Sequence, residues 1–263
     1  MRMGLLGPLY LCSVDRNTAP TAPKVRQLLA LLMLRSDTMV RVTECVEELW
    51  GTESPKRAMS TLQTYTLQIR RAFTAAGCPA ALLPRTQASA YLLAGHEVDW
   101  VRFERLAAAG RAAAAARDHR RAADLLTEAL ALWRGPAMVD VPTGPLSAAR
   151  VVALTESRKV VLEQRVEAEL RLGLHERLLP ELADLTGANP TNENLHAQYM
   201  LALYRCGRPE DAEAVYRGLR DLLVDTLGVE PVPRLRALYE TVLDRPADIP
   251  TGAITSLRHP ADR

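Results

Sequence analysis

A pattern of break and apolar anchor recurs three times along this chain. Arg117, Ala122, Leu126 and Ala129 are spaced like Gly173, Leu178, Leu182 and Leu185, and again like Gly207, Ala212, Tyr216 and Leu219. Each set reads as a helix end followed by a second helix whose anchors share one face. Gly173 and Gly207 lie 34 residues apart, the period of tetratricopeptide helix pairs. The first interval is one period plus an insertion, and that insertion contains the breaker-rich run from Arg134-Gly135-Pro136 to Gly144-Pro145. One such pair cannot bury its apolar face alone, so three in series reach the minimum for a stable stack. Any amphipathic helix pair gives similar spacing, and that simpler reading stays open.

With 263 residues the chain has room for about two domains. Hydrophobic residues make up 48% but aromatics only 5%, with Leu and Ala dominant, so a mostly α protein is expected. The net charge of +2 says little, but the basic excess falls in residues 1–95 while the remainder is net acidic. That division suits a first domain that meets phosphates and a second that meets protein. Cys12, Cys45, Cys78 and Cys206 have no metal-ligand spacing and read as buried, reduced thiols. The opening apolar run is too short for a signal and contains Pro8, and no stretch approaches 18 apolar residues, so a cytoplasmic protein without membrane contact is expected.

Residues 1–95 read as a small α+β domain. Residues 3–13 suggest a strand pair broken at Gly7-Pro8. A helix begins near Pro23, and Val25, Leu28, Leu29 and Leu32, with apolar neighbours, predict burial on more than one face. Thr43 is a candidate cap for a short helix over 44–50 that ends at Gly51. Ser54-Pro55 then opens a third helix over 55–76. In it Leu62, Tyr65, Ile69 and Phe73 form an apolar stripe, and the other side carries Gln63, Thr64, Leu67, Gln68, Arg70 and Arg71. Gln, Thr and Arg are residue types that read base edges and phosphates, although a solvated helix face has the same composition. A hairpin follows, around Thr86-Gln87-Ala88-Ser89.

The succession Leu6-Gly7-Pro8-Leu9, Pro23-Lys24-Val25-Arg26-Gln27-Leu28-Leu29, Glu48-Leu49-Trp50-Gly51 and Ser60-Thr61-Leu62-Gln63-Thr64-Tyr65 resembles the Streptomyces antibiotic regulatory proteins. So do Leu132-Trp133-Arg134-Gly135-Pro136, Gly144-Pro145, Tyr204-Arg205, Gly207-Arg208 and Leu227-Gly228-Val229-Glu230-Pro231, which resemble the bacterial transcriptional activation domain of those regulators. The resemblance implies a winged helix-turn-helix DNA-binding domain over 1–95, with 55–76 as recognition helix and 86–89 as wing tip. A helical-repeat activation domain over 96–246 and a disordered tail over 247–263 follow. Lys56 and Arg57 near the start of the recognition helix, and Arg85 and Gln87 at the wing, would add backbone or minor-groove contacts. The sequence departs from the family at Ala90, where Gly more often precedes the aromatic, and at Leu67-Gln68, where a polar or basic pair is more common.

What the resemblance implies is a transcriptional activator of a secondary-metabolite biosynthetic gene cluster. Its partners would be double-stranded promoter DNA, bound at direct repeats by two protomers side by side, and the sigma and alpha subunits of RNA polymerase. Two alternatives stand beside it: a repressor or sensor whose repeat domain binds a ligand, and a protein-binding adaptor without DNA binding. An enzyme is not expected. His96, His119, His175, His196 and His259 show no HExxH pattern, and there is no phosphate loop, GxGxxG or GxSxG. No cofactor or metal is called for, Trp133 reads as a packing residue, and Glu163, Glu167, Glu169 and Asp211 read as solvent faces.

Overall fold

A computed structural model describes residues 2–13, 16–77, 85–86 and 89–244. The chain is mostly helical, and it divides into two compact units that are not consecutive in sequence: Met1–Ala109 with Thr127–Val161, and Gly110–Leu126 with Leu162–Arg263. The expected tail over 247–263 lies outside the described residues.

The first unit opens with an antiparallel sheet of β1 (Arg2–Gly4), β2 (Tyr10–Ser13) and β3 (Arg16–Asn17), with Met3 opposite Leu11. Then come α1 (Pro23–Leu34), β4 (Val40–Arg41), α2 (Val42–Trp50), α3 (Ala58–Ala75), β5 (Arg85–Thr86) and β6 (Ala90–Tyr91). The second sheet has the order β4-β6-β5. Pro23 occupies the first turn of α1, where its missing N–H is harmless. As expected, α1 is buried on most of its surface from Val25 to Leu34, because sheet, helices and a later loop surround it.

Two helix starts differ from expectation. Helix α2 begins at Val42, with Arg41 rather than Thr43 in the cap position. Arg41 ends β4 in extended conformation, so the helix starts where strand pairing stops, and the Glu44 carboxylate accepts the Arg41 N–H at 2.8 Å. Helix α3 begins at Ala58 rather than Pro55; Pro55 instead opens a turn closed by the Ala58 N–H on its carbonyl at 3.0 Å. Pro55 is the first residue of that turn, with Lys56 and Arg57 at its centre; a Ser-Pro pair marks a break whether a turn or a helix follows, so the pattern does not separate the two.

Helix α4 (Asp99–Ala115) shows a third difference. Asp99, whose residue type at a helix start reads as a cap for that helix, is only 7% exposed and accepts the N–H groups of Leu5 at 2.8 Å and Leu6 at 3.1 Å. Burial pushes its carboxyl above the usual range, with Arg134 at 3.5 Å opposing that shift. Gly4 makes room for it, since an added Cβ would sit 2.1 Å from Asp99 Oδ2. After α5 (His119–Ala131), the breaker-rich run forms a loop that covers the first hairpin. The N–H groups of Arg134 and Met138 bond Leu6 O at 2.8 Å and Leu5 O at 2.9 Å, and Asp140 Oδ1 accepts the Leu9 N–H at 2.8 Å. Trp133 is a packing residue, edge-on to Phe103 at 5.5 Å with the Arg158 guanidinium 4.9 Å from its ring centre.

The remaining helices are α6 (Pro145–Arg171), α7 (His175–Ala188), α8 (Glu193–Arg205), α9 (Pro209–Leu227) and α10 (Pro233–Leu243). The second unit's core joins Val166 and Leu170 of α6 to Leu178, Leu182, Leu201, Tyr216, Leu219 and Leu238 from the four helices that follow. The repeat register holds in its backbone. Arg117, Gly173 and Gly207 take φ of 61°, 79° and 73°. The next N–H then reaches back five residues each time, from Asp118 to Ala113 O at 3.0 Å, Leu174 to Glu169 O at 3.1 Å and Arg208 to Leu203 O at 3.0 Å. That is the Schellman closure, and it requires a left-handed residue at the break.

The acidic residues expected on solvent faces are mostly structural. Glu163 accepts the side-chain amides of Asn192 at 2.7 Å and Asn194 at 3.2 Å. Buried Glu169 lies 3.5 Å from Arg165, which also pairs with Glu181, and Glu167 pairs with Arg171 at 3.0 Å. Asp211 is exposed and held by Arg208 at 2.6 Å. Carboxylates facing a neighbouring helix and a solvent face share the same spacing, so the pattern cannot tell them apart.

Candidate nucleic-acid interface

The helical period of α3 sorts its side chains cleanly. Leu62, Thr66, Ile69, Ala72 and Phe73 are buried, and Tyr65 is half-buried against Trp50, the two rings stacked at 6.3 Å. Ser60, Thr64, Leu67 and Arg71, at i, i+4, i+7 and i+11, form an exposed stripe, with exposed Gln63 on one flank. Gln68 and Arg70 are half-buried at the edges of that stripe. Thus Gln63, Thr64, Leu67 and Arg71 come together on one open face, while Gln68 and Arg70 border it. Lys56 and Arg57 are exposed in the turn before the helix.

Helical hydroxyls on this face are oriented by the backbone. Ser60 Oγ and Thr61 Oγ1 both donate to Arg57 O, at 3.0 and 3.1 Å, and Thr64 Oγ1 donates to Ser60 O at 3.1 Å. With its proton so used, the Thr64 oxygen is left as an acceptor toward anything that approaches. Leu67 is 48% exposed in the middle of the stripe, an apolar group that the described residues leave open. A thymine methyl is one partner such a group meets in a major groove.

Helix α2 is fixed behind α3 by residues to which spacing assigns no role. Gln27 Nε2 donates to Glu48 O at 2.7 Å, and Lys24 Nζ reaches Leu49 O, so α1 satisfies carbonyls at the end of α2. The Glu48 side chain, 2% exposed, turns the other way. Its carboxylate accepts the N–H groups of Gly144 at 2.9 Å, Leu146 at 3.0 Å and Ser147 at 3.2 Å, which are the orphan donors at the start of α6. Gly144 must be glycine here, because a Cβ would lie 2.1 Å from Glu48 O. Cys45 in α2 is buried and its thiol is pushed up to about 12 by desolvation, so it stays a neutral packing group. Cys206 is only half-buried, short of the expected burial, and Cys78 lies outside the described residues.

Past α3, β6 pairs with both β4 and β5, with Arg41 and Thr86 each opposite Ala90. Ala90 is buried in the strand, and Ser89 takes the left-handed φ of 50°. The Val42 N–H bonds Ser89 O at 2.9 Å, which ties the hairpin to the start of α2. Beside Ala90 the left-handed residue is therefore Ser89. Arg85 has its backbone in β5, opposite Tyr91, and Gln87 lies outside the described residues.

Among the described residues, no cluster of three or more His, Cys, Asp or Glu is placed to hold a metal ion, and no helix is long and apolar enough to cross a membrane. Known proteins share this architecture. Residues 98–243 match the model of the bacterial transcriptional activator domain. The chain is 44% identical over 250 residues to the regulatory protein DnrI of Streptomyces peucetius, covering 92% of both. It is 38% identical over 244 residues to the regulatory protein AfsR of Streptomyces coelicolor, of which it spans 24%. A solved structure of Mycobacterium tuberculosis EmbR, in complex with a low-affinity phosphopeptide, superposes with a TM-score of 0.90 at 30% identity, over 97% of this chain and 68% of that one.

Proposed function

The chain belongs to the Streptomyces antibiotic regulatory protein family and is a transcriptional regulator, a winged helix-turn-helix followed by a helical-repeat domain, and from that premise we propose how it works on DNA. Residues 1–95 bind promoter direct repeats of a secondary-metabolite gene cluster as two protomers side by side. Residues 96–246 recruit RNA polymerase through its sigma and alpha subunits, in the cytoplasm and without chemistry of their own. The observation that carries this reading is the exposed face of α3, where Gln63, Thr64, Leu67 and Arg71 share one side that no element among the described residues buries.

In the major groove, Gln63 and Gln68 are placed to bond base edges and Thr64 to accept from an exocyclic amine. Leu67 meets thymine methyls, and Arg70 and Arg71 reach guanine or flanking phosphate. Lys56 and Arg57 before the helix, and Arg85 and Gln87 at the wing, supply phosphate or minor-groove contacts that set register without reading sequence.

Mobility shift of promoter fragments from the chain's own gene cluster, across a salt series, tests this. Arg71→Ala with Gln68→Ala should weaken specific binding by about tenfold or more, since a good base contact contributes roughly 1–3 kcal/mol. The salt slope should also fall by about one for each phosphate that the variant no longer neutralises. Absence of specific binding by the wild-type chain at any salt overturns the proposal.

A further inference from the structure

Within the second unit, the end of α4 and the start of α5 face the second half of α6 across a cleft of about 380 Å³. Its apolar lining includes Ala114, Leu126 and Ala168, and its polar lining includes Arg111, Arg117 and Gln164. That volume falls in the range of small-molecule sites, as does the combination of apolar wall and few polar groups.

Three observations mark the cleft as built to hold something. Gln164 is only 8% exposed, and its Oε1 has no hydrogen-bond partner; Nδ1 of His119, also in the lining, is likewise buried without one. A buried amide left unpaired is disfavoured, and folded proteins retain few of them without a reason. Neither Arg111 nor Arg117 has an ion-pair partner among the described residues, whereas Arg171, a third cationic group of the lining, is offset by Glu167 at 3.0 Å. The uncompensated charge of the lining is therefore positive. Lastly, Arg117 stands at a left-handed break, φ 61°, where the two equivalent breaks carry Gly173 and Gly207. Glycine suits that conformation better than any L side chain, so the turn itself does not call for arginine. The cleft does.

We propose that this cleft is a binding site for a small amphiphilic organic anion. Its apolar body packs against Ala114, Leu126 and Ala168, its carboxylate or phosphate group pairs with Arg111 and Arg117, and a hydroxyl or amine donates to Gln164. Arginine suits this role through its planar fork of donors, which matches either anion. The site does not depend on the DNA-binding reading, and its test uses the protein alone.

The test is calorimetric titration of the full chain with 6-hydroxy-2-naphthoate, a flat apolar body with one carboxylate and one hydroxyl, against the neutral 6-hydroxy-2-naphthamide. Saturable one-to-one binding is expected, about tenfold tighter for the acid than for the amide. Arg111→Ala with Arg117→Gly should remove that preference while leaving the far-ultraviolet dichroism intact, because glycine is what the other two breaks use. Gln164→Met keeps the volume and removes the unpaired amide, so it should raise the melting temperature of the free chain while weakening naphthoate binding. The proposal is overturned by no saturable binding up to millimolar naphthoate, by equal affinity for acid and amide, or by an unchanged preference in the arginine double variant. A lower melting temperature for Gln164→Met would also overturn it, since the amide would then be supporting the fold.

Discussion

In the first unit, carboxylates reach far along the chain to backbone N–H groups: buried Asp99 to residues 93 and 94 positions away, buried Glu48 to the start of α6, and exposed Asp140 to Leu9. In the second unit several carboxylates pair with side chains on their own or a neighbouring helix, and apolar anchors at repeat spacing supply the core. The contrast follows from what each unit must hold together. Loops and short strands leave backbone donors that no regular helix satisfies, so a few acceptors carry much of the burden. Stacked helix pairs satisfy their own backbone and need only apolar complementarity, spread over many residues.

That contrast can be broken first at Glu48. Glu48→Ala would strand three N–H groups, that of Ser147 buried and those of Gly144 and Leu146 half-buried, and should cost about 3–5 kcal/mol, read as a shifted urea midpoint. Leu182→Ala, in the core of the repeats, should cost about 3 kcal/mol by transfer and cavity terms, with the faster amide exchange centred on α7 and α8. A loss under about 1 kcal/mol for Glu48→Ala would mean that water reaches those donors and that the first unit does not depend on its long-range acceptors.

A smaller effect distinguishes Asp99. Asparagine offers one acceptor oxygen for two N–H groups, so Asp99→Asn should cost about 1–2 kcal/mol near neutral pH. Burial raises the folded-state pKa of Asp99 above its unfolded value, so the native state binds the proton more readily between the two. Stability from this group therefore rises as pH falls from neutral through the raised folded pKa. The asparagine penalty should grow in that direction, and urea titrations at a series of pH values would measure it. A penalty that shrinks on acidification would show that the bonds to Leu5 and Leu6 outweigh burial.

The smallest expected effect compares the repeats with one another. Arg117→Gly should stabilise by up to about 1 kcal/mol, while Gly207→Ala should destabilise by about the same amount, as left-handed geometry requires. Thermal melts of the two single variants should move in opposite directions. A shift of the same sign in both would mean that the three breaks are not equivalent in energy, although they share φ and hydrogen bonding.

Much of the candidate interface is legible in the sequence because one helix with a 3.6-residue period carries it. Gln63, Thr64, Leu67 and Arg71 are exposed where the stripe of Leu62, Ile69 and Phe73 says they should be. Ser60 belongs to the same face and is found by stepping back four residues from Thr64. The pattern puts Lys56 and Arg57 inside the helix, whereas they sit in the turn before it, because Ser54-Pro55 satisfies the rules for both. The roles of Lys24 and Gln27 leave no signal, since a side chain that bonds a backbone carbonyl has no partner residue type to search for.

Local sequence is enough to set most of the helices, their buried faces and the repeat register, down to the three positions that take a left-handed backbone. Those are local consequences of periodicity and of glycine's freedom, and each can be read within a few turns of chain. Packing of distant segments was needed before Glu48 could cap α6, Asp99 hold the first hairpin rather than its own helix, and Arg111, Arg117 and Gln164 line one cleft. Backbone donors are the same at every residue, and groups on separate helices meet only once the chain has packed, so neither leaves a pattern that spacing alone can reveal.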